Sequence, residues 1–232
     1  MILGKADILY EDNHIIAVNK PAGVSVQEDV SGEESLDAIV KRYIKERDQK
    51  TGNVYLGVTH RIDKPVSGLV LFAKTSKALT RLNEMIKKRE VSKFYWVIVS
   101  RKPPEDQETL VHYVERDGTK NRSYAHLKPR KDSKEAILTY TMICVSMNFY
   151  LLEVELLTGR HHQIRCQLGK IGCPIKGDLK YGADRSNKTG GISLHSRRME
   201  FIHPVSKEKV SITAPSPTDD NLWRFFEGCM NA

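Results

Sequence analysis

The chain has 232 residues, of which 40% are hydrophobic and 28% charged, which is enough for one or two folded domains with a buried core. No run approaches the roughly 18 apolar residues of a membrane span, and the first residues lack the apolar stretch of a signal peptide. We therefore expect a cytoplasmic protein with no membrane partner. The four cysteines form no C-x-x-C pair, so we expect no metal site.

Basic residues outnumber acidic ones by 37 to 29, which gives a net charge of +8. A surplus of this size favours a polyanionic partner, because phosphate contacts release counterions. Residues 116–134 contain seven basic and two acidic side chains, and residues 76–93 contain six and two. Clustered charge is typical of a nucleic-acid surface. A solvated helix face has the same composition, so charge alone leaves both interpretations open.

The apolar patterning predicts an α+β chain dominated by strands. Strands are expected as a hairpin over 8–20 and over 54–58, 68–75, 92–100, 109–114, 123–129, 136–145, 149–156, 192–204 and 209–215. Helices are expected from Ser35, from Ser76 as an N-cap, over 161–172, and after Asp220 or Asn221. The fold class is therefore a mixed, mainly antiparallel β-sheet flanked by helices. No linker or repeat interrupts it, so we predict one domain over residues 1–232.

Two polar stretches stand out from this pattern. HRIDKPVSGL, residues 60–69, places Asp63 between two cations just before a buried strand. In LTGRHHQIRCQL, Arg160, His162, Gln163 and Arg165 lie within six positions and offer mainly hydrogen-bond donors, which suit phosphate, ribose or a carboxylate. An arginine paired with Asp63 would keep that acid ionised and lower its pKa. Two unrelated surface loops are the alternative reading.

HRIDKPVSGLVLFAK resembles the catalytic motif of the RluA-type pseudouridine synthases. Three further stretches resemble motifs of the same family in the same order, and they are NKPAGVSV, LTGRHHQIRCQL with PIKGDLKYG, and ISLHSRRMEFIHP. The resemblance covers roughly residues 7 to 215. It implies the pseudouridine synthase catalytic fold with a central RNA-binding cleft and without an N-terminal S4-like domain. Ile62 replaces the usual leucine, which is a small change, and Val66 occupies a position that is often threonine, where we expect altered loop packing rather than lost activity.

The resemblance also implies roles for individual residues. The catalytic aspartate falls on Asp63, the tyrosine of the Lys-x-Tyr strand on Tyr95, and the arginine that pairs with the aspartate on Arg165. Substrate contacts are expected from His60, Arg61, Arg160, His162, Gln163 and Ile164. Lys128, Arg130 and Lys131 are predicted from charge placement to grip the RNA backbone. The implied partner is ribosomal or transfer RNA, and we expect a monomer.

Isomerisation of uridine to pseudouridine breaks the N1–C1′ bond and joins C5 to C1′ without a redox change, so we expect no cofactor. The carboxylate either attacks C1′ or removes a proton from C2′, and both roles require an ionised Asp63. One alternative is a catalytically silent RNA-binding protein on the same scaffold. Another is a glycosidase or nucleosidase, although such enzymes usually need two carboxylates, and HRIDKPVSGLVLFAK contains only one.

Overall fold

A computed structural model describes residues 3–4, 7–29, 32–188 and 190–231. The chain divides into two compact units, the first formed by the described residues up to Val91 with Ser196–Pro215, the second by Ser92–His195 and the residues from Ser216 onward. Among the described residues, no helix combines the length and the apolar composition that crossing a membrane requires.

The first unit is a set of antiparallel strands with two helices. Its elements are β1 (Ile8–Glu11), β2 (Ile15–Lys20), α1 (Leu36–Arg47), β3 (Gly57–Val58), β4 (Ser67–Ala73), α2 (Ser76–Lys87), β10 (Leu194–Ile202) and β11 (Lys209–Thr213). Strand β10 belongs to this unit from Ser196 onward. β4 pairs with β2 and β3, β2 pairs with β1, and β10 pairs with β11, all antiparallel. Every residue of β4 is buried. The strand predicted over 54–58 is shorter than expected, because only its last two residues, Gly57 and Val58, pair with β4.

Helix α2 packs against these strands through an apolar stripe. Leu82 is fully buried among Ile15, Leu69 and Leu71, and Leu79 and Ile86 are partly buried against the same cluster. The predicted N-cap was wrong by one residue. Thr75 holds that position, and its hydroxyl accepts a hydrogen bond from the amide of Ala78 at 3.2 Å.

The second unit is a set of five antiparallel strands with two α-helices. Its elements are β5 (Ser92–Val99), β6 (Gln107–Asp117), β7 (Arg122–His126), β8 (Lys134–Val145), β9 (Tyr150–Leu156), α3 (Gln163–Lys170), a short 3-10 helix (Leu179–Tyr181) and α4 (Asn221–Asn231). The strands pair in the order β5, β9, β8, β6, β7, and each pair is antiparallel. The mainly antiparallel sheet and the α+β class are confirmed, whereas the single-domain assignment stays a prediction.

Each helix of the second unit has its own apolar contact. α4 packs Trp223 and Phe226 against Trp96 of β5 and Leu151 of β9. Asp220, one of the two caps expected from the sequence, accepts the amide of Leu222 at 2.8 Å. α3 lies against β7 through Cys166, which clusters with Ala125 and Tyr181. This packing fixes α3, which carries most of the second polar motif.

Candidate active site and nucleic-acid interface

The segment around Asp63 is held by hydrogen bonds to β4. The Thr59 hydroxyl donates to the carbonyl of Leu71 at 2.6 Å, and the Leu71 amide donates to Nε2 of His60 at 3.0 Å. His60 must accept this bond through an unprotonated nitrogen, so its ring is neutral when the bond is formed. The amide of Val66 then donates to the carbonyl of Asp63 at 3.0 Å, which closes a turn just before β4. The Asp63 backbone is thereby fixed at the entrance to a buried strand.

A buried lysine joins this segment to the loop after β2. Lys20 has 0% exposure, and its ammonium donates to the carbonyls of Pro21 at 2.9 Å, Val24 at 2.7 Å and Lys64 at 3.2 Å. The amide of Gly23 donates to the same Lys64 carbonyl at 2.8 Å. Two hydrogen bonds therefore join the NKPAG stretch to the HRIDKP stretch. The Lys20 ammonium and the Gly23 amide both donate to the carbonyl of Lys64.

Lys20 is also an electrostatic neighbour of Asp63. Burial lowers the pKa of Lys20 to about 7, and the negative charge of Asp63 opposes that change. The two cations that flank Asp63 in sequence behave differently. Lys64 pairs with Glu33 at 2.6 Å, whereas the Arg61 side chain is exposed. Lys20 is thus a cation near the half-buried Asp63 that the local sequence does not reveal.

The turn before α3 is built on a residue in a left-handed conformation. His162 has φ 51° and ψ 28° and lies immediately before the helix. Its ring is buried, stacks on His161 with centroids 3.8 Å apart, and shares a 2.8 Å hydrogen bond with the Tyr181 hydroxyl. Burial is the main cause that lowers the pKa of His162 to about 2, and the charge of Arg165 acts in the same direction. His162 is therefore neutral at physiological pH.

Gln163 and Arg160 brace the same turn against β8. The side-chain oxygen of Gln163 accepts from the Thr158 hydroxyl at 2.8 Å and from the Arg160 amide at 2.9 Å, and its nitrogen donates to Ile137 at 3.1 Å. Arg160 Nε donates to the carbonyl of Glu135 at 2.9 Å. These bonds give both residues a positioning role in the turn, and their predicted substrate contacts stay predictions.

Arg165 forms a buried bidentate ion pair. Its Nε and Nη2 donate to the two carboxylate oxygens of Asp178 at 2.6 and 2.9 Å, and the exposures of the two side chains are 6% and 1%. The guanidinium also lies 5.1 Å from the centre of the Tyr181 ring. Asp178 therefore orients Arg165. Asp63 belongs to the first unit and Arg165 to the second, so their pairing stays a prediction.

The remaining predicted residues occupy three environments. Tyr95 is buried on β5, where it pairs with Val154 of β9, and Ile164 is buried in α3. Lys128, Arg130 and Lys131 are exposed in the connection between β7 and β8, where the Arg130 amide donates to the Ser133 hydroxyl at 2.8 Å. In the described part of the chain, no three His, Cys, Asp or Glu side chains come together as a metal site would require.

Sequence reasoning missed Lys20, Asp178 and Tyr181. All three lie inside quoted motifs, NKPAG and PIKGDLKYG, so the motifs themselves were the available signal. Their burial was not evident, because lysine and aspartate are almost never fully buried unless they are paired.

Comparison with known proteins places the chain in a family. A model described as RNA pseudouridylate synthase matches residues 14–170. The chain belongs to the RNA pseudouridylate synthase family. Asp63, Tyr95 and Arg165 all lie within the matched residues, and the family assignment made from the four motifs is confirmed.

Individual pseudouridine synthases match over most of this chain. The uncharacterized RNA pseudouridine synthase YhcT of Bacillus subtilis (strain 168) is 31% identical, over 96% of this chain and 73% of the relative. The ribosomal large subunit pseudouridine synthase D of Xylella fastidiosa (strain Temecula1) is 32% identical, over 92% and 66% respectively. The chain thus spans about two thirds to three quarters of the length of these pseudouridine synthases.

Solved structures of pseudouridine synthases share the fold. The protein described as Human RNA Pseudouridylate Synthase Domain Containing 4 superposes with a TM-score of 0.76 at 21% identity, over 91% of this chain and 88% of that one. Human RNA Pseudouridylate Synthase Domain Containing 1 gives a TM-score of 0.71 at 22% identity, over 94% and 87%.

Proposed function

We propose that this chain isomerises specific uridines in RNA to pseudouridine and that Asp63 is the catalytic carboxylate. The observation that carries the proposal is the placement of Asp63, in the family motif, on a turn fastened to β4 and beside the buried Lys20. A nucleophile or base must be held in one orientation, and hydrogen bonds of Thr59, His60 and Val66 hold the segment that carries the acid.

The reaction needs an ionised acid aimed at the sugar. Asp63 either attacks C1′, forming an ester bond there as the N1–C1′ bond breaks, or removes the C2′ proton so that uracil leaves through N1 and a glycal forms. In both routes the freed uracil rotates and C5 bonds to C1′. That bond displaces the Asp63 carboxylate in the first route and accompanies the return of the proton to C2′ in the second, and the C5 proton then leaves. When Lys20 is protonated, its positive charge and the carboxylate of Asp63 attract each other. Because the reacting sugar lies inside a folded RNA, the target nucleotide must flip out to reach the acid.

Other predicted residues have supporting parts in this proposal. The Tyr95 ring offers a stacking surface for uracil, and its hydroxyl is a candidate acceptor for the C5 proton. Arg165, oriented by Asp178, is the proposed partner of Asp63. Arg61 and the exposed cations Lys128, Arg130 and Lys131 would contact RNA phosphates.

Ribosomal RNA is the first substrate to test. Several relatives are named ribosomal large subunit pseudouridine synthases, among them the Xylella fastidiosa protein and a synthase C of Rickettsia bellii that is 30% identical. Transfer RNA is the second substrate class. A cytoplasmic monomer would suit either RNA.

Tritium release tests the catalytic assignment. Ribosomal and transfer RNA that contain [5-³H]uridine, transcribed without modification, are incubated with the wild type, Asp63→Asn and Asp106→Asn. Asp106 is a matched control because its side chain is 77% exposed. We expect release with the wild type and the control, and a loss of roughly 1,000-fold or more in Asp63→Asn, within the range for a removed acid–base or nucleophilic group.

Each other outcome favours a different function. RNA binding without release on either RNA would support the catalytically silent RNA-binding protein. Free uracil among the products would support a nucleosidase. Equal release from Asp63→Asn and the wild type would overturn the role of Asp63.

A further inference from the structure

A cavity of about 290 Å³ lies between β7 and α3 in the second unit. Its lining includes Arg122 and Tyr124 of β7, Cys166 and Lys170 of α3, and Tyr181 of the 3-10 helix. None of the lining side chains is a carboxylate, and two of them are permanent cations near neutral pH. The cavity is therefore suited to an anion.

Arg122 has the geometry of a binding residue rather than of a structural one. Its Nε is buried and has no hydrogen-bond partner among the described residues. A buried donor without a partner is unfavourable, and such groups in native proteins call for an explanation such as a ligand. The guanidinium is held in place by two aromatic rings, with its carbon 5.4 Å from the Tyr124 centroid and 5.3 Å from the Tyr181 centroid. Such stacking orients the guanidinium plane and leaves its N–H edge for an acceptor.

Two acids of the neighbouring strand β6 have other partners. Asp117 pairs with Arg122 in strand register, but its carboxylate accepts from the Thr119 hydroxyl at 2.7 Å and lies 3.7 Å from the Lys120 ammonium. Glu115 lies 2.9 Å from Nε2 of His126. The contrast with Arg165 is direct, since Arg165 contacts the same Tyr181 ring and has Asp178 as its counter-ion. Arg122 is thus the arginine at this ring that an external anion can neutralise.

The position of the cavity points to the substrate RNA as the source of that anion. Cys166 follows Arg165 directly in α3, so one helix carries both the family motif and a wall of the cavity. β7 lies within the basic segment 116–134, and Lys128, Arg130 and Lys131 follow it on the exposed connection. An RNA strand bound along these cations near α3 would bring a backbone phosphate to the cavity.

We propose that the cavity is a phosphate subsite for substrate RNA, in which Arg122 donates through its N–H edge to the phosphate oxygens and Lys170 supplies a second positive charge. The proposal rests on the proposed function, because it takes RNA as the substrate. It adds a specific pocket and two residues to the predicted grip by the exposed loop. A guanidinium suits this role because its fork matches two oxygens of one phosphate.

The salt dependence of RNA binding tests the subsite without any catalytic step. Fluorescein-labelled octauridylate is titrated with the 232-residue protein at several NaCl concentrations between 50 and 200 mM, for the wild type and for Arg122→Gln, Lys170→Gln and Arg185→Gln. Arg185 is the matched control, since it is an exposed arginine of the same unit that does not line the cavity. We expect Arg122→Gln to weaken binding about ten-fold. The slope of log Kd against log [NaCl] should fall by about 0.7, the value for one single-strand phosphate contact.

A second pair of variants covers a failure to fold. Arg122→Lys keeps the charge but loses the planar fork, so we expect the slope to be retained and the affinity to fall. Lys170 is exposed, so Lys170→Gln should fold normally and should also reduce the slope. If Arg122→Gln is folded, an effect no larger than that of Arg185→Gln overturns the proposal. If it is unfolded, an unchanged slope for Lys170→Gln does so.

The two proposals can fail separately. A wild type that releases no tritium from any RNA, but whose Arg122→Gln variant has the reduced slope, would retain the phosphate subsite and lose the proposed reaction. Tritium release together with an unchanged slope would retain the reaction and lose the subsite.

Discussion

Lys20 and Asp63 interact inside the first unit, where the negative charge of Asp63 raises the pKa of Lys20 and burial lowers it. Burial lowers the Lys20 pKa to about 7, from 10.5 for a free lysine. Three backbone carbonyls from two loops surround the ammonium, so the lysine is a structural pin as well as a charge next to the predicted catalytic acid.

The depressed pKa of Lys20 predicts a stability that depends on pH. Between pH 7 and 10.5 the unfolded chain keeps this proton and the native chain releases it, so stability rises with pH in this window, by at most about 1.4 kcal/mol per pH unit. Lys20→Met should lack this contribution. Urea unfolding at pH 6, 7.5 and 9 measures the contribution. The unfolding free energy of the wild type minus that of Lys20→Met should become more positive as the pH rises. Parallel stability curves for the wild type and Lys20→Met would contradict the prediction.

The ion pair between Arg165 and Asp178 predicts a large effect of removing one charge. Both side chains are buried, so Asp178→Asn leaves the guanidinium without a full counter-charge, and we expect a loss of about 3–5 kcal/mol in unfolding free energy. Asp220→Asn is the control. Asp220 pairs with Lys176 at 3.2 Å with both side chains about a quarter exposed, and asparagine keeps its capping bond. We expect that change to cost less than about 1 kcal/mol. Equal losses in urea unfolding would contradict the buried pair.

Local elements of this fold could be predicted from the sequence, whereas the buried partners of Lys20 and Arg165 could not. The stripe of α2 and the apolar run of β4 follow from periodicity and composition, which are local properties, so both elements were predictable. The cap of α2 at Thr75 was missed by one residue because two neighbouring hydroxyl residues have the same preference. The partner of Arg165 lies 13 residues away beyond a turn, and the carbonyls around Lys20 come from two loops. Such convergence depends on the fold.

The lowered pKa of His162 predicts that the protein loses stability at acidic pH. Its pKa is lowered to about 2, mainly by burial, so the native ring stays neutral while an unfolded histidine binds a proton as the pH falls below about 6.5. This contribution to stability is therefore present above that pH and is lost progressively below it. His162→Asn should remove the effect, because asparagine cannot titrate here and tolerates the left-handed backbone. Urea unfolding between pH 7 and 4.5 should show a steeper loss for the wild type, and a matching loss in both would contradict the assignment.

Substitution of Gly68 by alanine should disrupt β4, the strand that follows the Asp63 turn. It has φ 110°, and a Cβ there would lie 2.3 Å from the carbonyl oxygen of Ser196 and 2.6 Å from its amide nitrogen. Backbone atoms cannot yield as a flexible side chain can, so we expect Gly68→Ala to lower the unfolding free energy by about 3 kcal/mol or more. Gly52→Ala is the control, since a Cβ there meets no atom within 4 Å.

The same substitution should also reduce activity, because Gly68 pairs with Lys20 in strand register and β4 begins directly after the Asp63 turn. Displacing β4 moves the carbonyl of Leu71, to which the Asp63 segment is fastened through Thr59. We expect tritium release by Gly68→Ala to fall at a temperature where the variant is still folded by circular dichroism, while Gly52→Ala retains wild-type release. A folded Gly68→Ala protein with full release would show that the position of Asp63 does not depend on the close approach of Gly68 to Ser196.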